Sequence, residues 1–286
     1  MKQLTVISGK GGTGKTSITA AFASLAKNAV FADCDVDAAD LHLILRPKIK
    51  KTMEFHGLKI ASIEKKLCID CKKCHDACRF NAIDVEMNLI KGSCEGCGVC
   101  AYVCPVEAIK MVERDSGFAY ISETRFGPMS HAMLNTAEEA SGKLVTVVRE
   151  NAKKLAEEKK KDLIIIDGPP GIGCPVIASL TGVDLVLVVT EPTLSGIHDL
   201  ERILGVAHHF DIPAFVCINK YDINLDNTKR IREYCKDKNV DVVGKLPYDT
   251  IVTDAMVHEQ GVIEFSDGDL ADSIIKMWNK IKKRLT

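Results

Sequence analysis

Short unbroken apolar runs recur along the chain, each closed by a polar residue or a glycine loop. Residues 4–8 form the first and 29–32, ending at Asp33, the second. Later runs occupy 163–166, ending at Asp167, then 185–189, 215–218 and 242–246. Continuous apolar character over so few residues marks a strand buried on both faces. Between the runs the spacing turns helical. Residues 16–27 set Ile18, Phe22 and Leu25 on one face, and a second helical stretch ends at Leu45 ahead of Pro47. Helical patterns also cover 144–160, 195–210 and 226–238. Strand–helix alternation of this kind predicts an α/β fold with a mostly parallel sheet covered on both faces. The strand ends at Ser8, Asp33, Asp167, Thr190 and Asn219 would then share one edge, where ligands bind in such sheets.

The rhythm breaks between residues 63 and 112. This stretch holds eight of the twelve cysteines and little else able to form a core. Cys68, Cys71, Cys74 and Cys78 read C-x2-C-x2-C-x3-C, and Cys94, Cys97, Cys100 and Cys104 repeat the spacing 26 residues later. The flanks repeat too: the segment from Cys78 to Ile83 aligns with that from Cys104 to Ile109. The pattern resembles the ligand runs of bacterial two-cluster ferredoxins. There the fourth cysteine of each run serves the other cluster, which implies one [4Fe-4S] cluster on Cys68, Cys71, Cys74 and Cys104 and another on Cys94, Cys97, Cys100 and Cys78. Arg79 departs from that pattern, standing where proline often follows; Pro105 keeps it. Zinc is the alternative, but zinc ribbons space their C-x2-C pairs by longer segments. The expected division is 1–62 and 113–286 for a split nucleotide domain, with 63–112 a small α+β ferredoxin-like insert. Cys34 and Cys217 read as buried small residues and Cys235 has no evident partner. Cys174 follows a glycine turn, and the second ligand that a bridging site there would need is not evident.

Composition narrows the classes. A net charge of −1 argues against a general nucleic-acid or anionic-membrane surface. No apolar run approaches membrane-spanning length. Met1 and Lys2 lead straight into a strand-like run without a signal-peptide pattern, so a reducing cytoplasm is the expected compartment, and thiolate ligands are the expected state of the cysteines.

The glycine loop carries the other chemistry. Gly9-Lys10-Gly11-Gly12-Thr13-Gly14-Lys15-Thr16 fits G-x-x-x-x-G-K-[ST] between a strand and a helix, so backbone N–H groups can curl round phosphate oxygens. Gly11, Gly12, Thr13, Gly14, Lys15, Thr16 and Ser17 are the expected ATP or ADP contacts. Lys15 should meet the β- and γ-phosphates, and the Thr16 hydroxyl Mg²⁺. Lys10 makes this the deviant form of the loop, and here the chain resembles the MinD/ParA/Mrp and nitrogenase-iron-protein group of P-loop ATPases. The resemblance implies a P-loop NTPase fold and a homodimer closed through the nucleotide face, with Lys10 reaching the partner's nucleotide. It assigns Asp35 to the attacking water, Asp33 to the surroundings of Mg²⁺, and Asp167, in Asp167-Gly168-Pro169-Pro170-Gly171, to a Mg²⁺-bound water. Asp37 and Asp40 extend the acidic run and compete for either role, Asp40 reading better as a helix cap or a solvated acidic turn. Asn219 and Pro247 match base-flanking positions. Glu138-Glu139, Ser141-Gly142-Lys143 and the segment from Thr190 to Gly196 add to the match.

Three functions follow from the parts. One is an ATP-gated electron-transfer protein with a protein redox partner. Another is a cluster carrier of the Mrp type, delivering to an apo iron–sulfur acceptor, although the late C-x-x-C of such carriers is missing after residue 174. The last is a positioning ATPase whose C-terminal stretch, with Ile274, Trp278 and Ile281 beside several lysines, lies on a membrane surface; packing of that helix on the sheet is the favoured reading.

Overall fold

The computed structural model describes residues 1–135, 138 and 142–285. In chain order the elements are β1 (Lys2–Ser8), α1 (Lys15–Leu25), β2 (Ala29–Asp33), α2 (Leu41–Leu45), β3 (Lys48–His56), β4 (Ile60–Ile63), α3 (Lys73–Ala77), α4 (Val99–Tyr102) and β5 (Ile109–Val112). Next come β6 (Asp115–Thr124), β7 (Gly127–Leu134), α5 (Gly142–Glu158), β8 (Leu163–Pro170), α6 (Cys174–Leu180), β9 (Leu185–Thr190) and α7 (Leu194–His209). The chain ends with β10 (Ala214–Asn219), α8 (Leu225–Asp237), β11 (Asp241–Leu246), α9 (Ile251–Val257), α10 (Val262–Phe265) and α11 (Asp269–Leu285). Glu139 and Ser141, which carried part of the resemblance, lie outside the described residues.

Nine strands form one sheet in the order β11-β10-β9-β1-β8-β2-β7-β6-β3. The pairs from β11 to β7 run parallel, as the apolar runs predict. Successive residues of β9 serve opposite faces: Leu185, Leu187 and Val189 join a core with Phe22, Ile274 and Trp278, while Val186 and Val188 are buried on the other side. The apolar stripe of α11, which includes Ile274, Met277, Trp278 and Ile281, is buried, and the helix packs on β11 and α1. Trp278 meets Phe22 with ring centroids 4.9 Å apart. Its apolar face is thus consumed by the fold. Asp40 precedes α2, its side chain makes no capping bond and it is exposed, which leaves the solvated acidic turn of its two readings.

Strands β3, β6 and β7 are not foreshadowed by apolar runs. β6 and β7 bury polar residues: Ser122 Oγ lies 2.8 Å from His131 Nε2, and Thr124 Oγ1 donates to the Gly127 carbonyl at 2.8 Å. β3 ends the sheet and is studded with Lys48, Lys50 and Lys51, the charge that guards an open edge.

The chain divides into two compact units: Met1–Met53, Ala119–Met133 and Ala140–Thr286, and Glu54–Phe118 with Leu134–Glu139. The second is wider than the 63–112 drawn from the cysteines, because the cysteine-free ends of β3, β6 and β7 fold with it. Within it β4 and β5 pair antiparallel, and Ala61, Cys74, Ile83, Met87 and Ile109 form a small core of its own.

Candidate functional site: a phosphate loop and two cysteine hollows

The loop between β1 and α1 takes left-handed backbone at Gly12 (φ 79°) and Gly14 (φ 89°), which glycine adopts without steric cost. A Cβ at Gly14 would stand 2.5 Å from Asn219 Nδ2. That amide donates to the Thr13 carbonyl at 2.9 Å, so Asn219, expected at the base, also braces the loop. One cleft of about 370 Å³ is lined by Gly11, Gly12, Gly14, Lys15, Thr16, Ser17, Asp35, Asn219 and Pro247. The lining also includes the apolar Val252, Met256 and Ile274, suited to a flat ring system.

Beneath the mouth lies a concentration of carboxylates. Asp33 and Asp167 are register partners on β2 and β8, and both are fully buried. Thr16 Oγ1 donates to Asp167 Oδ2 at 2.7 Å and Thr19 Oγ1 to Asp167 Oδ1 at 3.1 Å. Lys15 Nζ lies 3.2 Å from Asp35 Oδ2, with both side chains nearly buried. Burial, then Asp167 and Asp35, push the Asp33 carboxyl well above the usual carboxylate range. Burial likewise raises Asp167 to about 6, against the pull of Lys15. Burial also raises Asp35, again opposed by Lys15.

Asp33 Oδ2 is buried and meets no donor, as is Thr13 Oγ1. Buried acceptors left in this way are costly unless a cation or ligand completes them. Hydroxyl and carboxylate oxygens are the hard donors Mg²⁺ takes, and Mg²⁺ keeps several waters and phosphate oxygens besides. Among the described residues no three His, Cys, Asp or Glu are placed to hold a single metal ion, a test that a cubane, with one thiolate to each iron, does not have to meet. A Mg²⁺ shared with phosphates does not require three.

Lys10 does not line the cleft. Its Nζ lies 3.7 Å from Glu191 Oε2 and 3.5 Å from Ser195 Oγ. Lys220 Nζ holds the other oxygen of Glu191 at 2.5 Å and donates to the Gly12 carbonyl at 3.3 Å. The Glu191–Lys220 pair and the Thr19 hydroxyl are contacts that motif matching passed over. Thr19 was findable, since it follows Thr16 by one helical turn. The pairing of Lys220 with Glu191 joins residues far apart in sequence and leaves no local signal.

In the second unit the cysteines line two separate hollows. Cys68, Cys71, Cys74 and Cys104 line one, with Ile63, Met87 and Val106. Cys78, Cys94, Cys97 and Cys100 line the other, with Phe80, Leu89 and Met111. This is the crossed grouping of the fourth cysteines. The symmetry reaches the hydrogen bonds: Ala82 N–H donates to Cys78 Sγ and Ala108 N–H to Cys104 Sγ, each at 3.3 Å. Burial raises the equivalent thiols Cys74 and Cys100. Four soft donors round a small apolar hollow, with backbone donors aimed at sulfur, fit a cubane. Cys34, Cys217 and Cys235 are buried, and burial pushes Cys217 up to about 12 and Cys235 to about 11, far from thiolate character. Cys174 is exposed.

Residues 4–262 match the family model for the CobQ/CobB/MinD/ParA nucleotide binding domain. The chain is 35% identical over 285 residues to the uncharacterized protein MJ0578 of Methanocaldococcus jannaschii, covering 98% of this chain and 96% of that one. A 49-residue stretch, 17% of the chain, is 47% identical to the pyruvate synthase subunit PorD of Methanothermobacter marburgensis, over 60% of that subunit. Among solved structures, the septum site-determining protein MinD of Pyrococcus horikoshii, complexed with Mg-ADP, has a TM-score of 0.62 at 17% identity, covering 99% of this chain and 96% of that one. On the extent of these matches, the chain is a member of the CobQ/CobB/MinD/ParA nucleotide-binding family.

Proposed function

We propose that this protein is an ATPase in which nucleotide-dependent dimerisation gates electron transfer through two [4Fe-4S] clusters. The observation that carries the reading is the crossed grouping of cysteines round two hollows in a chain that also holds a complete phosphate loop. The short match to PorD supports an iron–sulfur module, and the MinD structure with Mg-ADP supports Mg²⁺ and nucleotide at the loop.

The residues divide the work as follows. Backbone N–H groups of Gly11 to Gly14 and the Lys15 ammonium hold the phosphates. Thr16 would hold Mg²⁺ and Asp167 a water bound to it, with Asp33, the register partner of Asp167, close by; the ion would neutralise phosphate charge. Asp35 is freed from Lys15 when that ammonium turns to phosphate, and then orients the attacking water. Lys10 supplies positive charge to the partner's nucleotide, where charge accumulates as the phosphoryl group transfers. Asn219 and Pro247 flank the base.

The test is anaerobic purification with iron and sulfide counting, followed by EPR-monitored redox titration with ADP, with ATP and with neither. The expected results are iron and sulfide for two cubanes and a midpoint or line shape that changes with nucleotide. Clusters indifferent to both nucleotides would remove gating from the function.

A further inference from the structure

The internal repeat supplies its own control, because each position in one half has a counterpart 26 residues away. The two hollows match in outline: Phe80, Ala82 and Ile83 line one where Val106, Ala108 and Ile109 line the other. Their charges do not match. Lys72 and Lys73 line the hollow of Cys68, Cys71, Cys74 and Cys104, and their counterparts Gly98 and Val99 line the other. Glu95 stands in the second hollow where Ile69 stands in the first.

The difference is not forced by space. Lys72 (φ 61°) and Gly98 (φ 75°) share the same left-handed backbone, a conformation that carries a steric cost for lysine and none for glycine. A Cβ at Gly98 would meet nothing within 4 Å, so either site has room for a side chain. Asp70 (φ 49°) and its counterpart Gly96 (φ 67°) show the same contrast, so what sets Lys72 apart is its charge at the hollow rather than its backbone.

The surroundings point to what the lysines meet. Ile69 is 61% exposed, Leu67 51% and Val106 37%. The counterparts of Leu67 and Ile69 are the polar Ser93 and Glu95. Lys66 adds exposed charge beside Leu67, whereas Lys65 is matched by Lys91 in the other half and donates to the Glu86 carbonyl at 2.5 Å. Glu64, Asp70, Asp76 and Glu107 lie in the same stretches but do not line the hollow. The second hollow also exposes apolar side chains, Phe80 at 45% and Val99 at 43%, so the lysines are what distinguish the first, and lysines round an exposed apolar centre have the make-up of a docking surface for an acidic protein.

We infer that the Lys72–Lys73 face, over the hollow of Cys68, Cys71, Cys74 and Cys104, is the docking port for an acidic one-electron carrier protein. The inference rests on the reading of the cysteines as two cubane sites. The event is a one-electron exchange: the carrier loses or gains one electron, the module gains or loses it, and no bond is made or broken. The same two ammonium groups favour the reduced state of the near site; at the other, Arg79 between Cys78 and Phe80 acts in the same direction and Glu95 against it, so the site beside Lys72 and Lys73 is the easier to reduce.

The test replaces the port by its twin, Lys72→Gly with Lys73→Val, in the full-length protein prepared without oxygen. Both residues already fit the second half, so folding is retained, and iron content reports it. Two readouts follow: the separation of the two midpoints by EPR titration, and the stopped-flow rate of electron exchange with a small acidic ferredoxin, with a basic cytochrome as the opposite-charge control. The expected results are a narrowed separation and a rate with the ferredoxin about tenfold lower at low salt, with no loss for the cytochrome. Iron-replete variant protein with unchanged separation, or an unchanged rate and salt dependence, overturns the inference while leaving the proposed function standing. Wild-type protein that binds no iron overturns both.

Discussion

The buried carboxylates under the phosphate loop should make the metal-free protein less stable as pH rises, the reverse of an ordinary ion-paired aspartate. Asp167 titrates at about 6 in the fold against an ordinary 3.8. Between those values the folded chain holds a proton that the unfolded chain has released. Stability therefore falls as pH climbs through the window, and the penalty is absent below it and complete above it. A gap of about two pH units is worth about 3 kcal/mol, of which about 2 kcal/mol develops between pH 4.5 and 7.5. Asp33, raised by burial and by Asp167 itself, adds to the same slope. The perturbation is Asp167→Asn, which removes the charge but obliges one of the Thr16 and Thr19 hydroxyls to find another acceptor. That second effect, about 1 kcal/mol, is independent of pH, so the slope is the quantity to read. The assay is urea denaturation with chelator present, followed by the fluorescence of Trp278, the single tryptophan, which lies in the core of the nucleotide-binding unit. Wild-type stability minus variant stability should fall by at least about 2 kcal/mol from pH 4.5 to 7.5, and saturating Mg²⁺ with ADP should flatten it. A difference that stays level or rises with pH in the chelated protein would refute the electrostatic account of this site.

Other substitutions test separate parts. Lys10→Ala should leave nucleotide affinity within about twofold by calorimetry yet lower phosphate release at least about a hundredfold, whereas Lys15→Ala should abolish binding. Gly14→Ala forces a Cβ toward Asn219 at a left-handed residue, and its nucleotide affinity should fall by about tenfold or more. Gly12→Ala, with open space around it, should lose less, and the reverse order would contradict the bracing role of Asn219. Cys104→Ser should remove about half the iron and disturb the site of Cys68, Cys71 and Cys74, not that of its own run. Mössbauer spectra of Cys104→Ser and Cys78→Ser that affect their own runs would contradict the crossed grouping.

The nucleotide-binding core was legible because its strands are apolar on both faces, so 4–8, 163–166 and 185–189 announce themselves, and the motif residues fall at their ends. The β6–β7 extension was not, since Ser122, Thr124 and His131 are buried polar residues satisfied by one another or by backbone, a compensation that no local pattern reveals. The cysteine spacing was equally legible, but the extent of its unit was not, because spacing marks ligands and says nothing about the strands that carry them. At the phosphate loop the motif named Lys10, Lys15, Asp33, Asp35 and Asp167. The contacts between Lys10 and Glu191, and between Asn219 and Thr13, span long stretches of chain and emerged only from the fold.

The interleaving of Cys78 and Cys104 makes the two halves interdependent. A peptide carrying a single run would supply three thiols to one hollow and strand its fourth on the far side. On its own, such a segment could complete its set only by associating with an identical copy. Joined in one chain the halves need not be identical, and Lys72 opposite Gly98 is one place where they differ.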